Sequence, residues 1–258
     1  MPNAVGPARW GLRLHVALVL LLLYMPLLVL IALSFNGTGA FGDWTQYSFG
    51  SYAALLQDPA LSNALRNTVV LAGITTVIAT AAGATLALGI HRVRCGSISG
   101  SVAFLPIVLP DIVVAIALLS LFVLLRVSLG FHSLVIAHGV FGVAFACAIV
   151  RARLLRLDPA LIEASFDLGA SEALTMRRII LPRIAPSILA AALVVFTLSA
   201  NDFVITGLMS GPVDTVSLQI YRMIRLGGAP EINALSSAAL GVSFVLILFA
   251  QRLHGESR

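Results

Sequence analysis

Two carboxylates lie within long apolar segments of the sequence, where ionisable side chains are rare. Asp111 lies in the apolar run 101–125, and Asp202 lies in the apolar run 187–209. A charged side chain that faces lipid at the centre of a bilayer costs about 2.5–3.5 kcal/mol or more. We therefore expect both side chains to face the interior of a helix bundle, a neighbouring subunit or water. There, a carboxylate can bind a cation, accept a structural hydrogen bond or pair with an arginine.

The residues around these carboxylates can supply further polar groups. Pro106 and Pro110 precede Asp111, and each proline frees a backbone carbonyl that can line a cavity. At about 1.5 Å per residue, Asp111 is expected roughly 15 Å deep, near the midplane of the membrane. Asn201 directly precedes Asp202. We take Asp111, Asn201 and Asp202 as candidates for lining the path of a cationic solute.

The composition excludes a water-soluble domain. The chain has 258 residues, of which 59% are hydrophobic and 10% are charged, and its mean hydropathy is +1.03. Such a composition favours an all-α, polytopic membrane protein. Six runs are long enough to cross a hydrocarbon core, which needs about 20 residues. We predict membrane spans at 14–33, 68–90, 101–125, 131–150, 187–209 and 232–250.

The basic residues, all of which are arginine, predict the orientation of the bundle. Twelve of the 16 lie before the first span, between spans two and three, between spans four and five, or after span six. The positive-inside rule places these segments, both termini and the loop 151–186 in the cytoplasm. The first span is too long for the apolar core of a cleaved signal peptide, so we predict a retained anchor. The pI near 10.0 therefore reflects membrane topology and not nucleic-acid binding.

Several chemistries are excluded by what the sequence lacks. It contains no lysine, and therefore has neither a Walker A phosphate loop nor a Schiff-base lysine. Cys95 and Cys147 form no CxxC pair, and the histidines form no HExxH motif. We predict no catalytic residue, no metal site and no cofactor in this chain, which is not expected to be an enzyme. His138 lies in the fourth predicted span, where we expect an interhelical hydrogen bond.

The longest predicted cytoplasmic loop has the signals of two short helices. Asp158 followed by Pro159 is typical of a helix start, and Gly169 can end that helix. Ser171 can cap a second helix, which Pro182 is expected to end. Two short helices joined at a turn form an elbow with one face to bury.

The predicted outer segments carry aromatic and amphipathic residues. The segment 34–67 contains Trp44, Tyr47 and Tyr52. These side chains indicate either an interfacial aromatic belt or a contact surface for an external partner. In the last outer loop, apolar residues spaced along one side of 217–226, together with two arginines, predict a short interfacial helix.

Seven residues of the cytoplasmic loop have the spacing of a known motif. A glutamate, an alanine and a small residue are followed after three positions by glycine, and after nine more by isoleucine-x-leucine-proline. These residues are Glu163, Ala164, Ser165, Gly169, Ile179, Leu181 and Pro182. The pattern resembles the EAA loop of ABC-importer permeases, the membrane subunits of binding-protein-dependent uptake systems. Its one departure is the serine in place of the usual second alanine.

This resemblance implies a fold, a set of partners and a mechanism. The fold would be that of a type I ABC-importer permease with six transmembrane helices. The EAA loop would dock on a cytoplasmic ATP-binding subunit dimer, so that ATP is bound by the partner and not by this chain. A sister permease would complete the passage, and an extracytoplasmic solute-binding protein would deliver the solute. The location would be the bacterial inner (plasma) membrane.

Three further segments are similar to the spermidine/putrescine-type permeases, specifically to the second of their two permease subunits. They are 109–119, 198–212 and 218–237. The similarity implies a polyamine solute, whose separated ammonium groups suit spaced carboxylates. That group often has two adjacent acids where this chain has Asn201 and Asp202.

Because Asn201 stands where that group often has a second acid, alternatives stay open for the solute and for the transport mechanism. Ferric ion, an amino-acid-like solute or another small cation could also be the solute of the same importer class. A secondary transporter would instead predict an internal repeat and more charge within the spans, and the sequence shows neither.

Overall fold

The computed structural model describes residues 7–37, 46–93, 102–226 and 230–255. These residues are all-helical, apart from turns, connecting segments and one isolated bridge between Asn36 and Tyr47. The fold class predicted from composition is therefore confirmed. The helices are α1 (Pro7–Leu33), α2 (Gly50–Gln57), α3 (Pro59–Val93), α4 (Leu105–Val108), α5 (Asp111–Leu124), α6 (Phe131–Leu154), α7 (Pro159–Asp167), α8 (Glu172–Thr175), a π-helical segment (Met176–Ile180), α9 (Leu181–Asn201), α10 (Val204–Met209), α11 (Val216–Arg225) and α12 (Pro230–Gly255).

The chain divides into two compact units, one comprising 1–59 and 220–245 and the other 60–219 and 246–258. In the first unit, α1 is apolar and exposed along nearly its whole length, with 6% of its most apolar stretch buried. A helix that is apolar on all sides needs apolar surroundings, which lipid or another helix can supply. This property fits the membrane span predicted at 14–33.

The outer segment of the first unit contains an aromatic cluster. The Phe35 ring lies 5.4 Å from Phe49 and 5.5 Å from Tyr52. Tyr52 therefore packs within the segment, whereas Tyr47 is 85% exposed. Trp44 lies outside the described residues. The two interpretations of this segment, an aromatic belt and a contact for an external partner, both stay predictions.

In the second unit, α3 and α6 approach closely through small residues. A Cβ atom added to Gly83 would lie 2.6 Å from the Cβ of Ala146. A Cβ atom added to Gly142 would lie 2.7 Å from the Cβ of Ala79. Each helix thus contributes two small residues four positions apart, an arrangement that lets helix backbones meet within a membrane.

Two apolar clusters form the core of this unit. One joins α3, α6 and α9 and includes Cys147, which is buried there as a small packing residue. The other joins α3, α5, α6 and α10. The helices that carry the candidate polar residues are therefore held by packing, α9 in the first cluster and α5 and α10 in the second.

The span predicted at 101–125 is a broken helix and not a continuous one. Leu109 has an extended backbone (φ −75°, ψ 142°) between α4 and α5, and α5 begins at Asp111. Pro110 explains the break, because proline disfavours a helical backbone at the preceding residue and has no N–H for the helix ladder. The start of this predicted span, Ser101, lies outside the described residues.

The span predicted at 187–209 is also broken. Asp202 is extended (φ −66°, ψ 131°), and it separates α9 from the short α10. Its side chain accepts a hydrogen bond from the backbone N–H of Thr206 at 2.8 Å, in the first turn of α10. Aspartate and asparagine compete with the helix ladder in this way, which accounts for a break after Asn201.

Pro182 does not end the second helix of the elbow, contrary to the sequence prediction. The helix continues from α8 through the π-helical segment into α9. There, the N–H of Leu181 bonds to the carbonyl of Met176, five residues back. Such a π turn shifts the hydrogen-bond register by one residue, so the helix continues past a residue without an N–H.

Four helices in the described part of the chain are long and apolar enough to cross a membrane. They are Trp10–Leu33, Pro59–Arg92, Phe131–Leu154 and Glu172–Asn201. The last predicted span, 232–250, lies within α12, but some of its side chains are outside the described residues. The count of six spans therefore stays a prediction.

The second predicted span and the cytoplasmic loop meet at one end of the second unit. Arg92, near the end of α3, forms an ion pair with Glu172, at the start of α8. The predicted topology requires these two segments to lie on the same side of the membrane, and the ion pair agrees with it. The assignment of that side to the cytoplasm stays a prediction.

Candidate functional site

The breaks in the two helices bring the three candidate residues to one cavity. Asp111 begins α5, Asn201 ends α9, and Asp202 occupies the connection to α10. All three line an open cavity of about 440 Å³. The structure thus brings the three residues together, while their role in solute passage stays a prediction. Apolar side chains form much of the remaining wall, among them Phe141, Phe145, Val195, Leu198, Phe203 and Ile205.

Asp202 is held by one of its two carboxylate oxygens. Oδ2 accepts hydrogen bonds from the backbone N–H of Thr206 at 2.8 Å and from its hydroxyl at 3.0 Å. The side chain is 14% exposed. Oδ1 accepts no hydrogen bond from the described residues. Oδ2 therefore stabilises the connection between α9 and α10, and Oδ1 is available at the cavity.

His138, on α6, connects this carboxylate with α9. Its Nδ1 lies 2.7 Å from the Ser199 hydroxyl, and its Nε2 lies 3.1 Å from Thr206 Oγ1. Nε2 is also 3.5 Å from Asp202 Oδ2. The predicted interhelical hydrogen bond of His138 is confirmed. The sequence reasoning missed that this histidine joins the carboxylate site, because the separation of 64 positions between them gives no local signal.

Asp111 and Asn201 face the same cavity with fewer restraints. Asp111 is exposed and makes neither a hydrogen bond nor an ion pair with the described residues. It lies at the first residue of α5, where the positive end of the helix dipole favours a carboxylate. The Asn201 amide donates a hydrogen bond to the carbonyl of Thr197 at 2.9 Å. Its carbonyl oxygen remains as a possible acceptor at the cavity.

The charges around the cavity favour a cation. The described lining residues include two carboxylates and no arginine. Two negative charges in a largely apolar wall attract a positive group more strongly than they would in water. Among the described residues there is no group of three side chains suited to hold a metal ion. The two carboxylates and the apolar wall together suit a positively charged group.

The elbow of the cytoplasmic loop forms a second candidate site. The Asp158 side chain accepts from the N–H of Ala160 at 3.0 Å and caps α7, as predicted. Gly169 has a φ of +78°, and the N–H of Ala170 bonds to the carbonyl of Ser165. This is the Schellman arrangement that ends a helix at a left-handed glycine. The Ser171 side chain caps α8, also as predicted.

The EAA-type residues occupy distinct places along this elbow. One is buried between the two short helices, some are exposed on the outside of α7, and the rest lie along the helix that leads into α9. Ser165 is buried between α7 and α8, whereas Glu163 and Ala164 are exposed on α7. Ile179 lies half-buried in the π-helical segment, and Leu181 and Pro182 are exposed at the start of α9. The motif therefore runs from the tip of the elbow into a membrane helix.

The outward surface of the elbow also carries exposed apolar side chains. Leu168 is 89% exposed and Phe166 is 46% exposed. Exposed apolar side chains at the end of a helix that also carries the exposed Glu163 carboxylate are typical of a surface that is covered by a partner.

The chain matches the family described as the binding-protein-dependent transport system inner membrane component, over residues 48–255. It is 36% identical over 233 residues to the spermidine/putrescine transport system permease protein PotC of Escherichia coli (strain K12), covering 89% of this chain and 88% of that protein. It is 34% identical over 231 residues to the putrescine transport system permease protein PotI of the same strain, covering 85% and 82%.

Solved structures of ABC transporters have the same fold. A bacterial transporter involved in the import of alginate matches with a TM-score of 0.72 and 20% identity, over 95% of this chain and 94% of that one. The MetNI methionine transporter matches with a TM-score of 0.65 and 16% identity, over 75% and 94%. With a family match over most of its length and relatives above 30% identity, this chain belongs to the inner-membrane permease components of binding-protein-dependent ABC transport systems.

Proposed function

We propose that this chain is the permease subunit of an ATP-driven importer of polyamines such as spermidine and putrescine. The observation that carries the proposal is the cavity at the two helix breaks, with Asp111, Asn201 and Asp202 in its wall. The names of the relatives that cover most of the chain support the same solute class.

The composition of the cavity wall suits the chemistry of a polyamine. A polyamine alternates ammonium groups with methylene segments, so it needs separated acceptors and apolar surface between them. The carboxylates of Asp111 and Asp202 supply separated acceptors, and phenylalanine side chains such as Phe141 and Phe145 supply apolar surface. A phenylalanine face also attracts a cation that lies over it.

The elbow is the proposed point of coupling to ATP hydrolysis. An ATP-binding subunit dimer would cover the exposed surface around Glu163 and Leu168. The continuous helix from Glu172 to Asn201 would then transmit the movement of that dimer to its own last residue, which directly precedes Asp202. A helix can transmit a displacement over this distance, whereas a flexible loop cannot.

The remaining assignments follow from the same family. The sister permease would supply the other wall of the passage, and an extracytoplasmic solute-binding protein would deliver the polyamine. Both termini and the elbow would lie in the cytoplasm, on the side that holds twelve of the 16 arginines.

Uptake by the reconstituted importer tests the proposal. The chain would be purified with a sister permease and an ATP-binding subunit of the same importer, and supplied with the binding protein of that importer. We expect ATP-dependent uptake of radiolabelled spermidine or putrescine. Uptake of ferric ion or of an amino-acid cation, without uptake of either polyamine, would overturn the proposal.

A further inference from the structure

A series of polar side chains joins α9, α6 and α10 at the cavity, where Ser199, His138 and Asp202 all contribute to the wall. It begins at Ser199 on α9, passes through His138 on α6 and Thr206 on α10, and ends at Asp202. The distances are 2.7 Å from Ser199 Oγ to His138 Nδ1, 3.1 Å from His138 Nε2 to Thr206 Oγ1, and 3.0 Å from Thr206 Oγ1 to Asp202 Oδ2. The first three side chains are buried, so water does not compete for their hydrogen bonds.

The direction of each hydrogen bond follows from the number of donors. An ionised carboxylate can only accept, so the Thr206 hydroxyl donates its one hydrogen to Asp202 Oδ2. That hydroxyl must then accept from His138, which places a hydrogen on Nε2. In a neutral imidazole, Nδ1 is left as an acceptor, and the Ser199 hydroxyl donates to it. All the hydrogen bonds of the series therefore point toward Asp202.

This arrangement fixes which carboxylate oxygen faces a solute. Oδ2 receives the N–H and the hydroxyl of Thr206, and His138 Nε2 lies 3.5 Å from it. Rotation of the carboxylate would break these contacts. Oδ1 therefore stays as the single acceptor that Asp202 presents at the cavity.

We propose that His138 and Thr206 are positioning residues that hold the Asp202 carboxylate so that it offers one oxygen, Oδ1, to a solute in the cavity. A carboxylate held in this way binds an ammonium group in preference to a guanidinium group. An ammonium group is a compact donor that needs one acceptor at a time, whereas a guanidinium binds best to two parallel carboxylate oxygens. This inference rests on the proposed function, because it assigns the atom that meets the amine of a polyamine.

The first test compares matched substitutions of the two positioning residues. His138→Gln keeps an amide donor near the position of Nε2, whereas His138→Asn reaches only the position of Nδ1. Thr206→Ser keeps the hydroxyl, and Thr206→Val removes it at nearly constant volume. Thr85→Val is the control, because the partners of the Thr85 hydroxyl among the described residues are carbonyls of its own helix.

The measured quantity is the maximal rate of putrescine uptake by the reconstituted importer. We expect His138→Asn and Thr206→Val to lower it about three- to tenfold, the range that corresponds to one lost hydrogen bond. His138→Gln should retain more activity than His138→Asn, and Thr206→Ser should retain more activity than Thr206→Val. Should His138→Asn fail to assemble, the isosteric Thr206→Val carries the test.

A double substitution separates positioning from general stability. If Thr206 acts through Asp202, Thr206→Val combined with Asp202→Asn should transport no more slowly than Asp202→Asn alone. This inference would be overturned if the double variant lost activity by the product of the two single effects. It would also be overturned if His138→Asn and Thr206→Val both transported at the wild-type rate. Either result would leave the polyamine function intact. A wild-type rate in Asp202→Asn would instead remove the cavity carboxylate from the proposed function, and this inference with it.

Selectivity is tested with agmatine, which carries one amine and one guanidinium. Each variant is assayed with the same binding protein, so the selectivity of that protein cancels when variants are compared. We expect the rate of agmatine uptake relative to putrescine to rise in Thr206→Val, since Oδ2 then accepts only the backbone N–H of residue 206 and has a lone pair left for a guanidinium N–H. A ratio equal to that of the wild type would contradict the selectivity.

Discussion

Ser165 and Thr175 join the two helices of the elbow through their hydroxyl groups, which lie 2.9 Å apart and are both buried. Ser165 Oγ lies 2.7 Å from the carbonyl of Ile162, and Thr175 Oγ1 lies 3.2 Å from the carbonyl of Ser171. Each hydroxyl has one hydrogen, so the shorter distances are satisfied when Ser165 donates to Ile162 and Thr175 donates to Ser165. Ser165 is the position at which the EAA-type pattern usually has alanine. In this chain, the serine therefore fits the elbow by a hydrogen bond between α7 and α8 that alanine could not make.

Loss of this contact should affect stability more than coupling. In Ser165→Ala, the Thr175 hydroxyl can donate to the carbonyl of Ser171 but loses the hydrogen bond that crosses the elbow. We expect a loss of about 0.5–1.5 kcal/mol in the stability of the elbow, seen as faster proteolysis or hydrogen exchange at α7. The number of ATP molecules hydrolysed per solute should change little. A large change in that ratio with unchanged exchange would show that Ser165 contributes to docking itself.

Gly169 allows the docking surface to be tested separately from the fold. Its φ of +78° disfavours any side chain, but a Cβ atom there would meet nothing within 4 Å. Gly169→Ala should therefore cost about 1 kcal/mol in backbone strain and leave much of the transport intact. Gly169→Trp has the same strain and adds bulk on the outside of the elbow. We expect it to abolish solute-stimulated ATP hydrolysis while the protein remains inserted in the membrane, and equal transport by the two variants would count against docking at this surface.

The charge of Glu163 should be required at the same surface. Glu163 is exposed on α7, so its replacement costs little within this chain. We expect Glu163→Arg to weaken binding of the ATP-binding subunit and to lower uptake strongly, with Glu163→Gln in between. Co-purification of the subunits measures the binding. Normal uptake by Glu163→Arg would remove this residue from the coupling role.

The two cavity carboxylates should contribute unequally. Asparagine at position 202 can still accept the N–H of Thr206, so the helix break is preserved while the charge at the cavity is lost. We expect Asp202→Asn to lower polyamine uptake about ten- to hundredfold, since a hydrogen bond to a charged group contributes about 1.5–3 kcal/mol. Asp111 is exposed and more screened by solvent, so Asp111→Asn should cost only about two- to fivefold.

The control for these variants is a carboxylate that does not line the cavity. Asp58→Asn, at the end of α2, should transport at the wild-type rate. Binding of the ATP-binding subunit should be unchanged in all three variants. Wild-type kinetics in Asp202→Asn would assign its carboxylate to helix capping alone.

Local sequence signals predicted the elbow well, because caps and turns depend on neighbouring residues. Asp158, Gly169 and Ser171 each have the predicted conformation or hydrogen bond. Pro182 was the exception in this segment. A proline usually ends a helix, and the π turn that lets this helix continue has no sequence signature as clear as that of a cap.

Hydropathy predicted where the long apolar helices lie but not where they are interrupted. A sliding window averages over about 20 residues, so it cannot register a connection as short as that between Asn201 and Val204. The prolines before Asp111 did indicate freed carbonyls, and the structure adds that the helix is broken there. The approach of His138 to Asp202 depends on the packing of α6 against α9 and α10, which no local pattern encodes.

The packing of α3 against α6 supplies the last prediction. A Cβ atom at Gly142 would lie 2.7 Å from Ala79 Cβ and 3.0 Å from Val195 Cγ1, whereas one at Gly139 would meet nothing within 4 Å. Both glycines lie on α6, so the change in helix propensity is the same for both. We expect Gly142→Ala to destabilise the protein by about 1–3 kcal/mol through overpacking, and Gly139→Ala to be neutral or slightly stabilising.

Thermal unfolding of the two variants in detergent distinguishes overpacking from a backbone effect. The cavity residues His138 and Phe141 are carried by the same helix. A shift of α6 by a few tenths of an ångström would lengthen the bonds from His138 to Thr206. Gly142→Ala should therefore also lower putrescine uptake, while Gly139→Ala should not. Equal stability and equal uptake in the two variants would show that α6 is not held against α3 at this contact.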